Sequence, residues 1–225
     1  MGTRRVRPCI VPPSTGTERE SRSFPCNVMG KQTSLPVQLT RGSGSDFHPS
    51  YVFSQMADLP AFSALPDDAR LWVHASTVPL SDATQEALLD RLSAFMDEWT
   101  SHQRPVEGVT TILNDRFLLV AASAGRNDIS GCGIDDLTHA VEDAASALEI
   151  EWAPALHVLY RTRDGSVAAV SRRTFQERGE AGAVTPDTPV FDPSITTLGA
   201  LRAGAFEQPA RESWHAQLLG IPAET

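Results

Sequence analysis

The residues best placed to do chemistry lie between Ser123 and Asp136. This stretch joins an apolar, strand-like run to a helix-like one and is punctuated by Gly125, Gly131 and Gly133. Unpaired N–H groups and the dipole at a helix start favour negative charge. Cys132 stands just before that start, where a thiol can be activated toward thiolate. His215 or His74 would serve as its base, and Asp135 or Asp136 would orient the base, which is the logic of a thiol-dependent enzyme. The same glycines, assisted by Arg126, would let a phosphate or carboxylate approach the backbone. Asp128, Asp135 and Asp136 crowd that region with the opposing charge. A plainer reading makes Cys132 a small packed residue under a glycine-rich turn and Asp135 a helix cap.

Other polar residues read more simply. His74, His102, His139, His157 and His215 show no HxH, HxxxH or HExxH spacing, so no metal site is expected. His157 alternates within a strand, and His102 ends a helix, where a cation suits the dipole. Asp67-Asp68, Asp97-Glu98 and Glu142-Asp143 read as solvated faces. The three cysteines, Cys9, Cys26 and Cys132, include no CxxC pair, so neither a zinc knuckle nor a disulfide framework is expected. No cofactor is implied.

The elements that must position these residues follow from periodicity. Arg70 to Ala75 alternates as a strand. Ser81 caps a helix running to about Ser101, with Leu88, Leu92, Phe95 or Met96, and Trp99 on one face. Val106 to Leu113 and Arg116 to Ala122 are strands joined at Asn114-Asp115, a two-residue hairpin turn. A second helix spans about Asp136 to Glu149. Leu156 to Thr162 and Val167 to Val170 form a hairpin turning at Asp164-Gly165. The order β-α-β-β-α-β with an added strand predicts an α+β, ferredoxin-like antiparallel sheet with both helices on one face. The expected organisation is an appendage at 1–55, a domain at 56–170, and an irregular extension at 171–225 packed on it. A short helix is expected near Ala210 to Leu219.

Composition changes near residue 55. Residues 1–55 contain no alanine, whereas the remainder contains 27. The chain's one lysine, Lys31, also lies in the first part, and stretches such as Arg41-Gly-Ser-Gly-Ser-Asp46 read as flexible. Residues 1–55 are expected to be a disordered tail or sequence upstream of a true start at Met56. They carry seven basic and three acidic side chains, leaving 12 basic and 25 acidic, a net of −13, for residues 56–225. That balance disfavours nucleic acid and anionic membranes as partners. An acidic, lysine-free domain suits concentrated salt, where carboxylate repulsion is screened; a GC-rich genome would also replace Lys with Arg. No stretch approaches the roughly 20 apolar residues of a membrane helix, and a cytoplasmic location is expected.

Ser130-Gly-Cys-Gly-Ile-Asp135, Thr188-Pro-Val-Phe-Asp192 and Ser213-Trp-His215, with Arg70-Leu-Trp72 and Asn114 to Phe117, are similar to motifs of a family of small uncharacterised bacterial proteins often labelled "ABC transporter ATPase". The resemblance covers about residues 56–219. The family's usual Ser after the Cys is Gly133 here, and its usual Asn after the Val-Phe pair is Asp192. The label implies ATP hydrolysis, but a phosphate-cradling loop needs G-x-x-x-x-G-K-[ST]. At Gly30-Lys31 the leading position is Pro25 and the residue after Lys is Gln32. Phe175, Gly182, Val184, Thr188, Phe191 and Trp214 loosely resemble a GYF-like module that binds proline-rich peptides on aromatics. The chain is thus expected to be a non-catalytic cytosolic binding or adaptor domain with an unidentified protein or small-molecule partner, or a homodimer through its sheet. The alternative is the enzyme built on Cys132.

Overall fold

The computed structural model describes residues 59–125 and 128–221. The expectations for residues 1–55, for Met56 and for Arg126 lie outside the described residues.

Strands β1 (Arg70–Ala75), β4 (Glu107–Leu113) and β5 (Phe117–Ser123) form an antiparallel sheet in the order β1-β5-β4. Phe117 through Ala122 is the chain's longest purely apolar run, and each of those residues is buried. A strand buried on both faces has no polar side to alternate with. Leu118, Val120 and Ala122 face helix α1 (Asp82–Glu98) and helix α2 (Gly131–Ala147), which supply Leu88, Leu92, Leu137 and Val141. Phe117, Leu119 and Ala121 face the other way, onto a second sheet.

That second sheet contains β6 (His157–Arg161), β7 (Val167–Ser171), β8 (Pro189–Phe191) and β9 (Glu207–Pro209), all antiparallel, in the order β7-β6-β8-β9. The sheets meet on aromatics: the Phe117 ring lies 4.8 Å from that of Phe191 and 5.0 Å from that of Phe206. The far face of the second sheet, Val158, Tyr160 and Val190, is covered by Phe175 of helix α3 (Arg172–Glu180) and by Ala210. The result is layered: helices, sheet, sheet, then α3 with the C-terminal 3-10 turns Ala210–Glu212 and Trp214–Leu219.

The α+β class and the antiparallel sheets agree with the sequence. The ferredoxin-like order holds for three strands, but β6 does not join β1. The outer edge of β1 is bonded instead by two short segments. Ala153 N donates to Ala75 O at 2.6 Å and Thr77 N to Glu151 O at 2.8 Å; at the other end Leu71 N donates to Thr196 O at 2.9 Å and Leu198 N to Ala69 O at 2.9 Å. The boundary expected at residue 170 falls inside the second sheet, because β6 pairs with both β7 and β8.

Local chemistry explains the helix starts. Ser81, Ser130, Ser171 and Thr197, the last before helix α4 (Leu198–Arg202), each accept from the backbone N–H three residues on, at 3.1–3.2 Å. Asp135 is therefore not the cap expected of it; it lies within α2. Likewise His102 does not end a helix. It sits with Gln103, both at positive φ, in the turn between β2 (Thr100–Ser101) and β3 (Arg104–Pro105). Asn114 and Asp115 also have positive φ, as a type I′ turn requires. Leu113 nevertheless pairs with Phe117, which makes Arg116 an extra residue in the hairpin. Its buried guanidinium donates to Ser76 O at 3.0 Å and Thr77 O at 2.7 Å, tying the hairpin to the end of β1. Among the described residues no helix is long and apolar enough to cross a membrane.

Candidate functional site

The loop from Ser123 to Ser130 is held at both ends. Gly125 takes φ +68°, a conformation glycine adopts freely, and its N–H donates to Ser123 Oγ at 3.2 Å. Ile129 is buried in the helical core, and its N–H donates to Asp128 Oδ1 at 3.1 Å. Ser130 N donates to Ser101 Oγ at 2.8 Å, and Ser101 Oγ donates to Ser130 Oγ at 3.1 Å. Trp99 Nε1 donates to Gly133 O at 3.0 Å. The β2–β3 hairpin thereby clamps the first turn of α2.

Between this loop and the start of β1 lies a cleft of about 210 Å³, lined by Asp68, Arg70, Ser123, Gly125, Asp128 and Ile129. Arg70 Nη1 is 3.6 Å from Asp128 Oδ1, and the guanidinium lies 5.5 Å from the centre of the Trp72 ring. The volume is below the roughly 300 Å³ at which pockets for drug-sized molecules begin, so the cleft suits a small polar group. Its described lining offers one cation, Arg70, two carboxylates, Asp68 and Asp128, and the Ser123 hydroxyl.

The residues expected to bind or react are distributed as follows. Cys132 is exposed, as are Gly131, Asp135 and Asp136. The packed reading of Cys132 is therefore corrected: its side chain leaves the first turn of α2 toward solvent. Gly133 is buried and its N–H already donates to Ser130 Oγ, so it has no free donor for an anion. Gly125 lines the Arg70 cleft; Gly131 does not.

His215 lies in the opposite outer layer. It is 1 % exposed, its Nδ1 is 2.8 Å from Ser213 Oγ, and its ring is 3.7 Å from Trp214 and 6.1 Å from Phe175. Burial pushes its pKa down to about 4; Asp192 opposes the shift and Arg172 adds to it. His74 packs on Trp152 at 5.4 Å, and burial lowers its pKa against the opposing pull of Glu142. The structure does not bring Cys132 and His215 together, because both sheets lie between their layers.

A larger groove, about 440 Å³, runs between α3 and the C-terminal turn, lined by Gln176, Gly179, Val184, Pro186 and Leu219 among others, with Glu180 its one titratable side chain among the described residues. Among the described residues no three His, Cys, Asp or Glu side chains converge as a metal site would require.

Sequence reasoning missed Arg70 as a cleft residue and Ser101 as the partner of Ser130. It also missed the buried pair of Arg161 and Glu207, 46 residues apart, whose bonds measure 2.6 and 2.8 Å. None of the three has a local signal; each partner arrives from a different element. No protein-family model, curated protein or solved structure matches the chain.

Proposed function

We propose that the chain is a non-catalytic, cytosolic binding or adaptor domain. The observation that carries this reading is the separation of Cys132 from His215: a nucleophile must lie within hydrogen-bond reach of its base, about 2.6–3.2 Å or one water away. The one described cysteine is a free thiol open to solvent, which suits a reducing compartment. The cleft beside Arg70 is small, and its described lining is a guanidinium, two carboxylates and a serine hydroxyl that accepts from the Gly125 N–H, groups that fit recognition of a small polar ligand.

The test is alkylation of Cys132 by iodoacetamide in the full chain, with Cys9 and Cys26 changed to Ser so that one thiol is read. The expected rate matches that of an unassisted exposed thiol and is unaltered by His74→Ala or His215→Ala. A rate at pH 6.5 more than about tenfold above a peptide thiol, and lost in either histidine variant, would favour the thiol-dependent enzyme instead.

A further inference from the structure

Two arginines are anchored deep in the fold, and one of them has a counter-charge. Arg161, whose side chain is 10 % exposed, directs Nε and Nη2 to the two oxygens of Glu207 at 2.6 and 2.8 Å, and Nη1 to Gly165 O at 2.9 Å. Arg116 is buried further, at 5 % exposure. Its Nη1 is likewise engaged with carbonyls, Ser76 O at 3.0 Å and Thr77 O at 2.7 Å. Among the described residues its Nε and Nη2 donate to nothing, and no carboxylate stands within ion-pair reach of it. The neighbouring acid, Asp115, accepts from Gln85 Nε2 at 3.1 Å instead.

The arginine cannot easily move to find a partner. Ser76 N donates to Arg116 O at 2.9 Å and Leu80 N to Asp115 O at 2.6 Å, so the 76–80 loop is bonded to the hairpin at both ends. Arg116 is thus held by its backbone and by Nη1, and the orientation of its unbonded edge is fixed. Burying a cation without a counter-charge is costly. Burial lowers the pKa of this guanidinium, and no charged neighbour acts on it. The unbonded edge nevertheless reaches solvent. Among the described residues, the side-chain atoms both sealed from solvent and unbonded are Trp152 Nε1 and His157 Nδ1, not those of Arg116.

We infer that the Nε–Nη2 edge of Arg116 binds the carboxylate group of a small molecule. The inference rests on the binding reading above and names the class of ligand. Those two N–H groups form a planar fork that meets both oxygens of a carboxylate in parallel bonds. Arg161 uses the same edge on Glu207 in this chain, with the same engagement of Nη1 on a carbonyl. Arg116 presents that arrangement with the fork turned to solvent. With no second cation acting on it, a singly charged anion matches the site better than a phosphate does. At 5 % exposure the fork is met end-on by the carboxylate, and the rest of the ligand stays outside. The site lies at the end of β1 opposite the Arg70 cleft, because Arg70 pairs with Ala122 and Ala75 with Phe117.

The experiment follows the arginine Nε–H signals and the backbone amides of the full chain in proton–nitrogen correlation spectra. Sodium acetate replaces sodium chloride at constant ionic strength, and separate series raise sodium chloride and sodium phosphate alone. The Arg116 Nε–H signal is expected to shift saturably, half-complete below about 10 mM acetate, together with the amides of residues 76–78. Arg161, already paired, and Arg173, exposed, are expected to show no saturation. Arg116→Lys keeps a cation for Ser76 O and Thr77 O but has no fork, and its amides at 76–78 are expected to lose the saturable response. The wild-type titration decides the matter even where that variant folds poorly. A wild-type response that stays linear to about 100 mM acetate, or an equal response to chloride or phosphate, would overturn the carboxylate site. The thiol test stands apart: an inert Cys132 with no acetate response removes this site alone, and an activated Cys132 removes the non-catalytic reading.

Discussion

Ser101 and Ser130, on different elements and 29 residues apart, share two hydrogen bonds: Ser130 N to Ser101 Oγ at 2.8 Å and Ser101 Oγ to Ser130 Oγ at 3.1 Å. Because Ser130 Oγ also accepts from Gly133 N, Ser101 supports the cap of α2 from outside the helix. Gly131 and Gly133 make this first turn intrinsically weak, since each glycine costs up to about 1 kcal/mol relative to alanine in a helix. The short β2–β3 hairpin compensates for that weakness and fixes the path of the loop leading to the Arg70 cleft.

Ser101→Ala should therefore lower stability by about 1–2 kcal/mol, because Ser130 N is left without its partner. The loss should be local as well as global. Hydrogen exchange at residues 130–134 should accelerate more than exchange in β5. Uniform acceleration across the domain would show that Ser101 does not hold the helix start.

Arg161 and Glu207 join β6 to β9 across the intervening β8. The carboxylate is 1 % and the guanidinium side chain 10 % exposed, and Arg161 also donates to Gly165 O at 2.9 Å and lies over Phe191 at 5.2 Å. Removing one member of a buried, two-pronged pair leaves the other desolvated and uncompensated, at a cost of about 3–5 kcal/mol. Glu207→Ala should shift the urea midpoint of unfolding accordingly. Replacing both with apolar residues of similar volume should restore much of the loss. A double variant as unstable as the single one would mean that the pair contributes attraction beyond its desolvation cost.

What the sequence disclosed and what it hid divide along physical lines. Ser81 as a cap, the positive-φ turn at Asn114-Asp115 and the buried run from Phe117 are local signals, and each appears where expected. The sheet that β6 would join was not legible. Val158 to Tyr160 is buried on both faces, so its pattern suits the centre of either sheet. The start of α2 was placed too late because two glycines mask the first turn, which is stabilised by Ser101 from another element. Cys132 could be located next to a helix start, but its exposure depends on which side of that turn meets the hairpin. His215 had a plausible sequence role as a base, whereas its burial against Phe175 and Ser213 makes it a packing anchor.

Salt should stabilise the domain. The nine carboxylates exposed on α1 and α2 make no ion pair among the described residues, and residues 56–225 carry a net of −13. Their mutual repulsion acts over about 10 Å at 0.1 M salt and about 3 Å at 1 M. The melting temperature should rise from 0.1 to 2 M KCl, with the larger part of the rise below about 1 M. A flat or falling curve would remove the reading of this composition as an adaptation to concentrated salt.

Acid should unfold the chain partly through His215. Its folded pKa is about 4, lowered chiefly by burial, whereas an unfolded histidine titrates near its ordinary value of about 6.5. Between those values the unfolded state binds the extra proton, so stability falls as pH falls. The neutral ring's contribution is complete above about pH 6.5 and is lost as pH falls through about 4, on the order of 3 kcal/mol in all. His74, also lowered by burial, adds to the same trend. His215→Asn keeps a polar partner for Ser213 but has no such proton to bind. It should be less stable than the wild type at pH 7, having lost the stack on Trp214, yet lose less between pH 7 and 4.5. Urea midpoints measured at both pH values for the two proteins would check this; parallel losses would place the acid sensitivity in other groups.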